Sequence, residues 1–229
     1  MSLDIYVMPL WRFKAGDFRS PIEVATGIRP KIVTPDGIEP GPDPVGWLGR
    51  WRARRQVAAI RRAVEAVHRS RIRWDDEGGV VYAEQSRGIE PLRAFAKWLD
   101  CEAQFPEFTR PPDNDYYQHP VMPLELHQVS CPHLVWHDCF NGYYLPCEFE
   151  ELMHVEPHTI YGHWPATRPV GSSLRLLREL DLVQERLQVP STCDYALEDP
   201  LLAVKAAYLQ MREAAELSCR QGLPIIFWG

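Results

Sequence analysis

Prolines divide this chain more sharply than any other feature. Twenty-one of its 229 residues are proline, and a proline inside a helix or a central strand removes a backbone donor and breaks the regular structure. They are concentrated in residues 12–46 and 106–132, which we predict to be long irregular connections. Regular elements are therefore expected between and around these two segments.

Hydrophobic periodicity predicts helices in the remaining stretches. In residues 46–69 apolar side chains recur at spacings of four and three, which places them on one side of a helix with the arginines opposite. Prolines at 91, 146 and 200 stand where a first helical turn tolerates them, and Gly222 suits a helix end. We predict helices over residues 46–69, from 91, from 146, over 173–187 and over 199–222.

Four shorter segments are rich in residues that favour strands, namely 3–7, 80–83, 134–136 and 225–227. With the helices, they predict an α+β or mixed α/β fold that has about four strands, four to five helices and long proline-rich loops. Neither a repeat nor a linker is visible, so we expect one globular domain over residues 1–229.

Charge is distributed unevenly. Residues 50–73 hold nine arginines and one acid, Glu65, so this segment carries +8 and the remainder −14, for a total of −6. This balance disfavours a general nucleic-acid binder and suits a basic protein partner. We expect the arginines of helix 46–69 to be exposed to solvent or paired with acids of the same chain. The alternative is that they bind single-stranded nucleic acid. The sequence shows neither an export signal nor an apolar span, which predicts a cytoplasmic protein without membrane contact.

The ligand types for zinc occur in the segment Cys131, His133, His137 and Cys139. On an extended strand the outer two residues would lie roughly 26 Å apart, so the four could converge only around a sharp bend. We therefore predict no metal and no cofactor, and reduced thiols for the six cysteines. A small hydrolase or a metal-assisted enzyme that uses residues 131–139 remains the alternative.

A short stretch of the chain resembles a group of uncharacterised bacterial proteins. The resemblance is carried by Leu134-Val135-Trp136-His137, then Asn141-Gly142-Tyr143-Tyr144 and Pro146, with a Ser/Gly-led helix start upstream at residues 86–93. It implies a bacterial origin and no established activity. Some proteins of this kind are suspected partners or antidotes of secreted toxins.

These observations predict a non-enzymatic, protein-binding molecule of the immunity or antitoxin type, whose oligomeric state stays open. Its binding surface is expected where the Asn141-Gly142 turn meets acids of the following segment. Aromatic side chains with polar tips are favoured anchors at interfaces, so at least one of the two tyrosines is expected to be exposed. The predicted binding residues are His137, Asp138, Phe140, Tyr143, Tyr144, Glu148 and Glu151.

Overall fold

A six-stranded mixed sheet organises the chain. The computed structural model describes residues 3–27, 32–34, 37–39, 45–86, 88–137, 142–155, 168–187 and 199–228. In spatial order the sheet contains β4 (Tyr82–Ser86), β1 (Leu3–Val7), β8 (Ile225–Trp228), β5 (Tyr143–Leu145), β7 (Arg168–Ser172) and β6 (Met153–Val155). Neighbours are antiparallel except β5 and β7, which are parallel. A separate hairpin pairs β2 (Ile32–Thr34) with β3 (Gly37–Glu39).

Seven α-helices accompany the strands among the described residues. They are α1 (Leu10–Ala15), α2 (Pro21–Thr26), α3 (Trp47–His68), α4 (Glu90–Leu99), α5 (Pro132–Val135), α6 (Ser173–Leu187) and α7 (Leu202–Gln221). Two short 3₁₀ turns cover Pro112–Asn114 and Tyr116–Gln118. None of these described helices is long and apolar enough to cross a membrane.

The sheet separates two layers of helices because successive side chains of a strand point to opposite faces. Leu3, Ile5 and Val7 of β1 join the cluster that packs against α4, α5, α6 and α7, which we name the α4–α7 layer. Tyr6, between them, joins a second cluster with residues of α1 and α3, which we name the α3 layer. The molecule is therefore a sheet covered by helices on both sides.

Local signals fix the ends of several helices. The Ser20 side chain accepts a hydrogen bond from the Glu23 N–H at the start of α2. Gly222 ends α7 in the left-handed conformation with a φ of 68°, which favours glycine. Asp199 accepts the Leu201 N–H just before α7 begins.

The predicted fold class is confirmed, but the number of elements is larger than predicted. The strands at 3–7 and 225–227 and the helices 46–69, 91 onward, 173–187 and 199–222 are present within a few residues of their expected bounds. The strand expected at 80–83 begins later, at Tyr82. The predicted loop 12–46 contains the end of α1, all of α2 and the β2–β3 hairpin.

Two local predictions are wrong. Residues 134–136 were expected to form a strand, but Pro132–Val135 is a helical turn and Trp136 is its end. The reason is a distant carboxylate, Glu179, which accepts the N–H groups of His133 and Leu134. The helix expected from residue 146 is also absent from residues 142–155, where β5 and β6 join the sheet instead.

Candidate functional site

His133 connects α5 of the α4–α7 layer to the sheet and to the loop that contains Glu150. Its Nδ1 accepts the Ser172 N–H at 3.0 Å, and its Nε2 lies 2.9 Å from the Glu150 carbonyl oxygen. Because an amide must donate and a carbonyl must accept, the ring is the neutral tautomer protonated at Nε2. Burial lowers the pKa of His133, in agreement with this state. The side chain fixes α5 to β7 and to the loop at Glu150, and both ring nitrogens are occupied.

Glu179 is the buried acid of the same region. Its side chain is held by the His133 N–H at 2.9 Å and the Leu134 N–H at 2.8 Å, one to each carboxylate oxygen. Burial raises the pKa of Glu179 to about 7, although both hydrogen bonds favour the charged form. This carboxylate therefore stabilises the first turn of α5, while its own ionisation is made costly by burial.

Both predicted tyrosine anchors are buried. Tyr143 and Tyr144 have relative exposures of 3% and 0%, because β5 is an interior strand between β8 and β7 and its side chains meet a helical layer on each face. The Tyr144 ring stacks on His137 with centroids 4.1 Å apart, and its hydroxyl donates to the His133 carbonyl at 2.7 Å. The expectation of an exposed tyrosine is wrong.

The stack of His137 on Tyr144 depends on a glycine in the neighbouring strand. A Cβ at Gly171 would lie 2.5 Å from the Tyr144 ring and 3.2 Å from His137 Cδ2. No side chain larger than hydrogen fits there without displacing the rings. Asp138 and Phe140, the other predicted binding residues of this turn, lie outside the described residues.

The predicted acids of this region, Glu148 and Glu151, are exposed. Glu148 accepts hydrogen bonds from both terminal nitrogens of Arg178, at 2.8 and 3.0 Å. Arg175 lies 3.7 Å from Glu148 and 3.5 Å from Glu150. Glu151 is exposed beside them. The structure thus separates the predicted site into a buried aromatic part, which supports the fold, and an acidic part at the surface.

The Cys/His segment has no geometry for chemistry at the described positions. The Cys131 thiol donates to the Glu179 carbonyl at 3.8 Å, and burial raises the pKa of Cys131 to about 12, which disfavours the nucleophilic thiolate. His133 and His137 make the contacts given above. Within the described ranges, no three His, Cys, Asp or Glu side chains are grouped as metal ligands would be. Cys139 lies outside those ranges.

A second acidic surface, which the sequence reasoning missed, lies in residues 100–125. This segment contains six acids and one base, Arg110, and this local imbalance was the available signal. Glu107, Asp113 and Glu125 are exposed, and no ion pair among the described residues involves them. We name these three residues the acidic loop.

The acidic loop is carried on an ordered base. Phe108 packs edge-on against Phe95 of α4, with centroids 5.2 Å apart, and stacks on His119 at 4.6 Å. Tyr116 and Val121 are buried in the same cluster. Asp100 accepts the Ser130 N–H at 2.9 Å, which closes the segment. The exposed carboxylates are therefore held by a packed aromatic cluster.

Further acids continue this surface along α6. Glu102 pairs with Arg186 near the end of α6, and Glu148 pairs with Arg178. At a rise of 1.5 Å per residue, the two arginines lie about 12 Å apart along the helix. Asp181 and Glu185 are exposed between them. Acids from two other segments thus pair with arginines of α6, and α6 exposes two acids of its own.

The fold and the surface define a mixed α/β protein with an acidic segment, residues 100–125, beside its α4–α7 layer. A family model described as "Putative DNA-mimic protein" matches residues 1–227, and the chain belongs to this family. No curated protein and no solved structure matches the chain. The family match covers the stretch that resembles uncharacterised bacterial proteins, but it does not identify the Leu-Val-x-His motif.

Two functional predictions are corrected by this finding. The immunity or antitoxin function and the alternative of a hydrolase or metal-assisted enzyme are wrong, because the family description points to mimicry of DNA. The partner prediction, a basic protein and no nucleic acid, is corrected for the same reason: the family description relates the chain to DNA, and a basic protein partner is compatible with a mimic that stands in for DNA. The partner class that the family indicates is a DNA-binding protein, for which the mimic stands in for DNA.

Proposed function

We propose that this protein occupies the DNA-binding surface of a DNA-binding protein, with exposed carboxylates in the place of phosphates. The observation that carries the proposal is the acidic loop. Its three carboxylates are exposed and make no ion pair with described residues, and the segment that holds them is packed against α4. Membership of the DNA-mimic family supports the same function.

Electrostatics explains how such a surface competes with DNA. Duplex DNA presents one negative charge per about 1.7 Å of axis, and proteins that bind it place Lys and Arg side chains against those charges. Carboxylates fixed on a rigid surface can meet the same side chains without the ordering cost of a flexible acidic tail. Glu151 and Glu185, which are exposed and form no ion pair with described residues, extend the proposed surface beyond the acidic loop.

The test uses immobilised protein and a cell fraction enriched in DNA-binding proteins on DNA resin. We expect retention of one or more of these proteins, and their release by added duplex DNA. The double variant Glu107→Gln/Glu125→Gln should lose most of the retention, because it removes two of the carboxylates that stand in for phosphate. The protein should also abolish the gel shift that its purified partner gives with DNA.

The control removes the same charge elsewhere. Glu77 and Glu213 are exposed, on the turn before β4 and on α7, so Glu77→Gln/Glu213→Gln should retain the partner. Retention that duplex DNA does not reverse, or equal losses for the two double variants, would contradict DNA mimicry by the acidic loop.

A further inference from the structure

The outward face of α3 carries aromatic side chains that the fold does not use. Trp47 is 79% exposed and Trp51 49% exposed, one helical turn apart. Leu48 beside them is also exposed, and the Arg55 guanidinium lies 4.8 Å from the Trp51 ring centre. Exposed apolar groups that stand side by side often mark a binding surface, whereas single exposed apolar residues are common.

The arginines of α3 fall into two groups. Those on its flanks attach the helix to the rest of the molecule: Arg50 lies 3.7 Å from Asp17, Arg54 packs 4.9 Å from the Trp11 ring centre, and Arg61 binds Asp76 at 2.5 Å. These contacts account for the flank arginines. The remaining arginines of α3 make no such contacts with described residues outside the helix.

The second group points away from the protein. Arg52, Arg55 and Arg62 are exposed, and no ion pair joins them to any described residue. Arg69, at the end of α3, and Arg71 and Arg73 beyond it are also exposed. Together with Trp47 and Trp51, these residues form what we name the α3 face. It lies across the sheet from the acidic loop.

The spacing along the α3 face suits a polyanion. Arg55 and Arg62 are seven residues apart, so they lie on one line along the helix with a step of about 10 Å. Arg69 follows after seven more residues, at the helix end and in the left-handed conformation, where that line stops. A stacked nucleic-acid strand presents a phosphate about every 3.4 Å of axis, so the step from Arg55 to Arg62 covers about three phosphates. Ala58 and Ala66, small and exposed, lie between the arginines and leave room for close approach.

We propose that the α3 face binds single-stranded nucleic acid, with the arginines on the phosphates and Trp47 and Trp51 stacked on bases. A single strand is favoured over a duplex because only unpaired bases offer free faces to the tryptophan rings. The site is separate from the proposed DNA-mimic surface in residues, charge and location. The protein would then hold a nucleic acid on one side of its sheet and imitate one on the other.

The test measures fluorescence anisotropy of a labelled 20-residue oligothymidine with the full chain, over a series of salt concentrations. We expect binding that weakens with salt and that duplex DNA of the same length does not match. Trp47→Ala/Trp51→Ala should weaken binding at least ten-fold. Arg55→Ala/Arg62→Ala should weaken it and reduce the slope of log affinity against log salt by about 1.4.

Matched controls come from the other layer. Trp136→Ala and Arg110→Ala remove an exposed tryptophan and an exposed arginine from the α4–α7 side of the sheet, and should leave binding unchanged. All variants are compared by circular dichroism, so that a loss of fold is recognised. Glu107→Gln/Glu125→Gln should bind the oligonucleotide as the wild type does, which keeps this test independent of the proposed mimicry.

Three results would overturn the proposal: no binding at physiological ionic strength, binding that the control variants reduce equally, or equal affinity for single strand and duplex with no effect of the tryptophan variants. Sedimentation tests a different occupant. Self-association that the α3-face variants abolish, without oligonucleotide binding, would assign this face to a second copy of the chain.

Discussion

The two layers of helices that cover the sheet are held in different ways. The α4–α7 layer buries large side chains completely, among them Leu176, Leu180, Tyr208 and Met211. In the α3 layer, the long helix α3 contributes only Ala53, Val57 and Val64 as buried residues. Its attachment is completed by arginine contacts with Trp11, Trp74 and two acids.

The contrast shows where charged residues can be placed without loss of stability. A helix attached by small apolar residues and by flank arginines leaves its entire outward face free for function. The helices of the α4–α7 layer are attached by deep apolar burial, so their surface charges are also free to vary. Buried Glu179 is the exception, because its carboxylate supports a second helix.

The largest expected effect separates the two layers by apolar burial. Leu180→Ala should lower the free energy of unfolding by about 2–5 kcal/mol, because Leu180 is fully buried and the change leaves a cavity. Val57→Ala in α3 removes fewer buried atoms and should cost clearly less. Urea denaturation measures the loss in free energy of unfolding for both variants, provided that the m-value is unchanged. Equal losses would show that apolar burial stabilises the two layers to the same extent.

The second effect is a change in pH dependence. Glu179 has a pKa raised by burial from 4.5 to about 7, so the folded state binds its proton more tightly than the unfolded state does. This group therefore makes stability fall as pH rises from about 4.5 to 7, by up to about 3 kcal/mol, with no further loss above 7.

Glu179→Gln removes that pH-dependent loss, although the amide can accept only one of the two N–H groups and should cost about 1–3 kcal/mol. Unfolding free energies at pH 5 and 7.5 should therefore differ less in the variant than in the wild type. Glu185→Gln, exposed on the same helix, serves as control and should keep the wild-type difference. A variant profile parallel to the wild type would contradict the assignment.

The smallest effects compare two adjacent arginines of α3. Arg61→Ala should cost about 1–2 kcal/mol, because it leaves Asp76 without the partner that lies 2.5 Å away and uncovers the Trp74 ring. Arg62→Ala, on the exposed face, should stay within about 0.5 kcal/mol of the wild type. Hydrogen exchange should report faster opening of α3 in the first variant alone. Similar behaviour of both would remove the distinction between flank and face.

Periodic patterns predicted the long helices well, because residues such as Val57 and Val64 carry the information within one helix. Residues 134–136 could not be assigned correctly from local pattern, since Glu179, far along the chain, determines their helical turn. Tyr144 appeared suited to an interface, but strand order placed it inside the sheet. The charge imbalance of residues 100–125 could have predicted the acidic loop from the sequence. The packing that holds this segment could not be predicted, because it depends on the contact of Phe108 with Phe95 of α4.

The pairing of β1 with β8 has a consequence for the history of the molecule. Asp4 lies opposite Trp228, and Val7 opposite Ile225, so two interior strands of the sheet come from opposite ends of the described chain. Contacts of such long sequence separation slow folding, because the entropy cost of closing a long loop precedes the gain from the contacts. During synthesis, at about 5–20 residues per second, β1 must wait for β8 for at least about ten seconds. Until then one edge of β1 keeps its backbone N–H and C=O groups unpaired, and they can pair with any other exposed strand.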